Sequence, residues 1–202
     1  MSEMRIYVEG GGNAKIDNAC KKGFHQLLEN VGFKGRVPRI VACGSRDVAY
    51  DRFKTAVNAG ITALLIVNSE DPASDISKTR EHLKKRDSWE RPAKANDEQV
   101  LLMTTCMETW VVADIEVLRK IFPKCLNENP IPKPSPLSEL EKLDRHAMQD
   151  ALDTATRSCT NAYKKGKRSF ALLAQLSPDT LKRLPSFQRM YAILDRDLPS
   201  AR

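Results

Sequence analysis

The run Ile61 to Val67 (ITALLIV) carries no charge and is rich in branched side chains. It reads as a strand apolar on both faces, and such a strand needs cover on both sides. Gly60 precedes it and Asn68-Ser69-Glu70-Asp71-Pro72 follows, so turn-forming residues bound it at each end. Two similar runs come earlier, Arg5 to Val8 and Val37 to Cys43 (VPRIVAC), and a fourth, Val100 to Cys106, comes later. Between them the apolar residues fall at helical spacing. Ala19, Gly23, Phe24, Leu27 and Leu28 mark one stripe; Ala49, Phe53, Ala56 and Val57 mark another; Thr79 to Arg86 reads as a short charged helix. Asn13 or Asp17 is expected to cap the first helix, and Gly32 to lie just past its end. This alternation predicts an α/β fold with a mostly parallel sheet flanked by helices.

The second half has a different texture. One helix is expected through Trp110, Val111, Ala113, Val117, Leu118 and Phe122. Pro123 to Pro136 then holds five prolines and reads as a linker or extended loop. Beyond it the pattern is helical: Leu137 to Tyr163, Ser169 to Leu176, Pro178 to Leu184 and Phe187 to Leu194. The expected organisation is an α/β domain over 1–122, a proline-rich segment over 123–136, and a helical extension over 137–202 packed on the same core. A hydrophobic fraction of 41% over 202 residues is enough for that core.

Charge and cysteine usage narrow the setting. The formal net charge of +7 favours anionic partners such as nucleic acid, with plain solubility as the alternative. The five cysteines are widely spaced and contain no CxxC, so neither a disulfide framework nor a zinc module is expected. No apolar run is long enough to cross a bilayer, and MSEMRIYVEGGG lacks a signal core. Together these point to the cytoplasm and away from a membrane.

Ligands of open parallel sheets bind beyond the carboxyl ends of the strands. Glu9, Arg46, Asn68, Glu70 and Glu108 all follow predicted strands, so they are expected along one sheet edge. Glu9 precedes Gly10-Gly11-Gly12, which lets a phosphate approach the backbone closely. Neither a Walker loop nor a GxGxxG fingerprint is present. Asn68-Ser69-Glu70-Asp71 supplies oxygen ligands of the kind hard divalent cations take, and 68 and 70 would share a side if strand geometry continued. Glu108 is either a further metal ligand or a first-turn helix charge. Arg46 would hold a phosphate or pair with a neighbouring acid. Lys164, Lys165, Lys167 and Arg168 would grip a nucleic-acid backbone or form a solvated charge run.

Taken together, YVEGGGN, VACGSRDVAYDRF, LLIVNSEDP, HLKKRDSW, MTTCMETWVVAD and KKGKRSFALLAQL resemble a bacterial family of Toprim-related proteins. The resemblance spans about Ile6 to Leu184. It implies a Toprim-like fold, related to the overcoming-lysogenization-defect nucleases and often found beside ATPases in anti-phage defence loci. It also implies a catalytic glutamate beside an Asp-x-Asp pair that binds Mg²⁺. Glu9 matches that glutamate, Asn68 falls at the first acid and Glu70 at the second. Asn68 offers a neutral oxygen where the family pattern has a charge, so Asp71 or Glu108 would have to compensate. The expected activity is Mg²⁺- or Mn²⁺-dependent cleavage of DNA or RNA, with Glu9 and Glu70 catalytic, Glu9, Asn68, Glu70, Asp71 and Glu108 on the metal, and Arg46 on the substrate. The alternative is a non-catalytic module that binds an ATPase partner or nucleic acid; self-association is open in either case.

Overall fold

A computed structural model describes residues 4–198, and within them every side chain but that of Lys167. Four strands, β1 (Arg5–Val8), β2 (Arg39–Ala42), β3 (Ala63–Asn68) and β4 (Val100–Met103), form one sheet in the order β2-β1-β3-β4. Every pairing is parallel. The fold is therefore α/β, with helices on both faces of a parallel sheet. α1 (Ala14–Leu28), α2 (Arg46–Asn58) and α3 (Thr79–Asp87) are the crossovers. β2 lies on one side of β1 and β3 on the other, so the chain reverses its direction of travel between β1 and β3.

Alternation along each strand sorts the core into two layers. Ile6, Val8, Leu64, Ile66, Leu101 and Met103 face one side, with α1 and the C-terminal helices. Tyr7, Leu65, Val67, Val100 and Leu102 face the other, with α2 and α3. All of β3 is buried, as a central strand between two helical layers must be.

α1 is capped by Asn13, whose Oδ1 accepts from the backbone N–H of Lys15 and of Ile16, both at 3.1 Å. Asp17 instead accepts from the Gly12 N–H at 2.9 Å. Gly32 lies within a π turn, Glu29–Phe33, that prolongs the helix. The helix expected through Phe122 is broken at Asp114 into α4 (Met107–Ala113) and α5 (Ile115–Ile121). The cause is a buried carboxylate: Asp114 Oδ1 accepts from Val117 N at 3.2 Å, capping α5, and Oδ2 accepts from Ser177 N at 2.6 Å. The long helix expected over Leu137 to Tyr163 is likewise divided, into a 3₁₀ turn (Leu137–Lys142) and α6 (Arg145–Thr156), with Asp144 as the cap between them. α7 (Lys167–Leu173), α8 (Pro178–Leu181) and α9 (Pro185–Asp197) follow.

The proline-rich segment does not stand apart. Ile131 within it is buried in the same cluster as Ile6 and Val8, and that cluster continues to Leu198. The C-terminal helices are one layer of the α/β body.

One cysteine expectation is corrected: Cys125 and Cys159 form a disulfide. Spacing in sequence gave no sign of it, because the two residues lie 34 apart and meet only when α6 folds back on the loop after α5. Cys20, Cys43 and Cys106 are free and buried. Burial pushes the Cys20 and Cys106 thiols up to about 12, so neither is a nucleophile at neutral pH. Among the described residues no helix is long and apolar enough to cross a membrane.

Candidate active site

The reversal between β1 and β3 opens a crevice beyond the strand ends, the usual ligand position in such sheets. Glu9 is the first residue after β1 and Asn68 the last of β3. The two are locked together. Glu9 Oε2 accepts from the Asn68 backbone N–H at 2.9 Å, and Oε1 accepts from Asn68 Nδ2 at 3.1 Å. Asn68 Oδ1 accepts in turn from the N–H of Met107, the first residue of α4, at 3.0 Å. Both ends of the amide are engaged, so Asn68 works as a pin between β1, β3 and α4. An Asp there would set a second carboxylate against Glu9 and remove the donor.

The loop after Glu9 is held close to the neighbouring loop. Gly10 and Gly44 exchange two backbone hydrogen bonds, of 2.9 and 2.8 Å. Gly10 has φ 134°, and a Cβ on it would stand 2.7 Å from the Phe170 ring. Only glycine fits both demands.

Glu108, in the first turn of α4, enters the same space from the other side. It is 1% exposed and its Oε1 accepts from the Tyr163 hydroxyl at 2.6 Å. Burial and the adjacent Glu108 push the Tyr163 hydroxyl well up, so it remains a proton donor. Glu9, Asn68 and Glu108 share the lining of one cavity of about 300 Å³ with Gly10, Lys165 and Ser169. Burial pushes Glu9 above the ordinary carboxylate range, against the downward pull of the Asn68 N–H, Arg46 and Lys165.

The acidic stretch after β3 goes elsewhere. The strand ends at Asn68, and Glu70 adopts a left-handed backbone with φ 68°. Positions 68 and 70 therefore do not share a face, because the strand geometry on which that expectation rests stops first. Glu70 is ion-paired with Arg145, at the start of α6, and lies 3.6 Å from Arg86. Asp71 pairs with Arg86 at 3.1 Å, outside the cavity. Arg46 is turned inward. It donates to the Asn68 carbonyl, to Asp87 Oδ2 at 2.6 Å, stands 3.8 Å from Glu9 and lies over the Trp89 ring at 5.1 Å. With those partners it buttresses the crevice wall and does not present its guanidinium to a substrate.

Of the five expected metal ligands, the cavity gathers Glu9, Asn68 and Glu108, and the Asn68 oxygen already has a donor. Among the described residues no group of three or more His, Cys, Asp or Glu side chains is placed to hold a metal. Mg²⁺, however, is commonly bound by one or two carboxylates together with substrate phosphate oxygens. Glu9 and Glu108 fit that donor set, each held by neutral donors that leave further lone pairs open. Sequence reasoning missed Tyr163, and no local signal marks it: it lies 55 residues from Glu108 and its role exists only in the fold. Lys165, legible as one charge of a basic run, is among the described side chains of that run the one that reaches the cavity.

A family model described as a domain of unknown function, DUF4276, matches residues 8–195. No curated protein and no solved structure matches the chain.

Proposed function

For this chain, which belongs to the DUF4276 family, we propose a divalent-metal-assisted phosphodiesterase that acts on nucleic acid in the cytoplasm. The observation that carries the reading is the convergence of two carboxylates, Glu9 and Glu108, on one cavity at the sheet's reversal point, with Lys165 in the same lining. Glu9 and Glu108 would hold the ion, which supplies charge neutralisation at the phosphate and an activated water. Asn68 fixes the Glu9 carboxylate through both of its oxygens. Tyr163 fixes Glu108. Lys165 offers a cation to a substrate phosphate, and the glycine loop lets that phosphate come near the backbone. The Toprim resemblance supports the same chemistry, with Glu108 taking the part that Glu70 cannot reach.

A cleavage assay on mixed DNA and RNA with Mg²⁺ or Mn²⁺ tests it. Cutting by the wild type that is lost in both Glu9→Gln and Glu108→Gln is the expected result. Equal cutting by both variants would remove the site from consideration.

A second reading is a module that binds nucleic acid or an ATPase partner without chemistry of its own. It is favoured by one observation: among the described residues no third carboxylate joins Glu9 and Glu108. Calorimetry with Mn²⁺ separates the two, since binding that is lost in Glu108→Gln belongs to the catalytic reading alone.

A further inference from the structure

One wall of the cavity is made by a stretch with little regular structure. From Cys159 to Gly166 the chain runs as turns and coil before α7 begins. It nevertheless carries Tyr163, which holds Glu108, and Lys165 and Gly166, which line the cavity. Loops of this kind open at low cost unless something ties them down. Beside the core packing of Cys159 and Tyr163, two specific ties among the described residues hold this one to elements other than α6 and α7. At its start the Cys125–Cys159 disulfide joins it to the loop after α5. At its middle the Tyr163 hydroxyl donates to Glu108 at 2.6 Å. The other hydrogen bonds are local, among them Tyr163 N to Thr156 Oγ1 at 2.8 Å, Ala162 N to Cys159 O at 3.0 Å, Arg168 to the Ala162 carbonyl, and Gly166 N to Ser169 Oγ at 3.0 Å.

We propose that residues 159–166 form a strap whose closure over the proposed active site is governed by thiol redox state, with the Cys125–Cys159 disulfide as the closed form and Tyr163 as the positioning residue for Glu108. The proposal rests on the functional reading given above for what the closed strap serves, and on the geometry alone for the strap itself. The step is a two-electron exchange. A dithiol reductant attacks the disulfide, the S–S bond breaks, Cys125 and Cys159 each leave as a thiol with one proton, and the reductant becomes a disulfide. Reduction removes the covalent tie and leaves the Tyr163 hydrogen bond and the packing of its buried ring as the strap's hold on the sheet side. In a reducing cytoplasm a bond of this kind is typically a transient, sensing one. The exchange is assigned to Cys125 and Cys159 alone, because Cys20, Cys43 and Cys106 are free and buried and burial holds the Cys20 and Cys106 thiols far from the thiolate form.

The test uses the full chain and needs no substrate. Lys164 and Lys165 are exposed trypsin sites within the strap. Thiol titration of the denatured, unreduced protein should find three thiols, and five after dithiothreitol. First-cut mapping by mass spectrometry should then show cleavage at Lys164 or Lys165 at least about tenfold faster after reduction, since such cutting follows the open population. Cys159→Ser should match the reduced wild type with or without dithiothreitol. Tyr163→Phe, which keeps the ring and deletes only the hydroxyl, should speed the same cut in the oxidised protein. Five thiols before reduction, or equal cleavage in both redox states, would overturn the strap. The nucleic-acid assay is run in parallel on both states, and faster cutting by the oxidised chain is expected. If neither state cuts nucleic acid while the proteolysis changes as described, the phosphodiesterase reading fails and the strap stands.

Discussion

Two sets of acidic residues near the sheet's carboxyl edge are held in opposite ways. After β3, Glu70, Asp71 and Asp87 are matched with arginines: Arg145 and Arg86 for the first, Arg86 for the second, Arg46 for the third. At the crevice, Glu9 and Glu108 are held chiefly by neutral donors, an amide and a phenol. Neutralised charges carry structure and have little left to offer a cation. Acids that receive neutral donors keep lone pairs open, which under the proposed function would go to a cation. The comparison separates the acids that arginines neutralise from the two that line the cavity.

The largest expected effect separates the two sets directly. Glu9→Gln and Glu108→Gln should each lower metal-dependent cleavage by at least about 10²-fold, the scale on which aligned electrostatic groups act. Glu70→Gln should stay within about threefold of wild type, a difference too small for a lost transition-state contact. A large loss in Glu70→Gln would merge the two sets again.

Glu141 sharpens the comparison from outside the site. It is buried and receives only neutral donors: Ser186 N at 3.1 Å and Ser186 Oγ at 2.5 Å. Burial outweighs those bonds and pushes Glu141 from the ordinary 4.5 up to about 7. A folded-state value above the unfolded one favours the protonated form. Its contribution is therefore full below the unfolded value and lost as pH rises through about 7. Thermal or denaturant unfolding of the wild type should lose roughly 3 kcal/mol from this group between acid and pH 8. Glu141→Gln should flatten the profile over that window, and an unchanged slope would show that another group sets it.

Next in size is the neutralised set itself. Glu70→Gln leaves Arg145 without its carboxylate, while Arg86 keeps Asp71 and Asp87, and the partial exposure of Arg145 moderates the cost. A loss of about 1–3 kcal/mol is expected in urea unfolding, with activity retained. The smallest effect concerns the pin. Asn68→Asp sets a carboxylate against Glu9 and should cost about 1–2 kcal/mol in a chelator. Part of that loss should return with Mn²⁺, because a cation would then bridge the two acids. Equal destabilisation with and without Mn²⁺ would argue that no ion enters the crevice.

The divided helices show where sequence reading stops. The apolar spacing of Trp110, Val111, Val117 and Leu118 is continuous, and nothing local announces a break. The break comes from Asp114, which caps α5 with one oxygen and the Ser177 N–H with the other, a partner 63 residues away. The same holds for Glu70. Its strand-end position was legible, but the left-handed turn and the pairing with Arg145 depend on where α6 packs. Tyr163 and the Cys125–Cys159 bond were invisible for that reason too.

What the sequence by itself determined is the local and periodic part. Period-two and helical spacing, with ITALLIV as the central strand, are enough to specify a parallel α/β sheet with helices on both faces, since only that layering buries a strand apolar on both sides. They also place Glu9 and Asn68 at strand ends, because an acid or amide there ends an apolar run. The tertiary structure alone decided which acids share a cavity, which are neutralised, and which loop lines that cavity. Those outcomes are pairings between residues on different elements: Tyr163 and Arg145 reach Glu108 and Glu70 from the C-terminal third, and Arg46 and Arg86 reach Asp87 and Asp71 from α2 and α3.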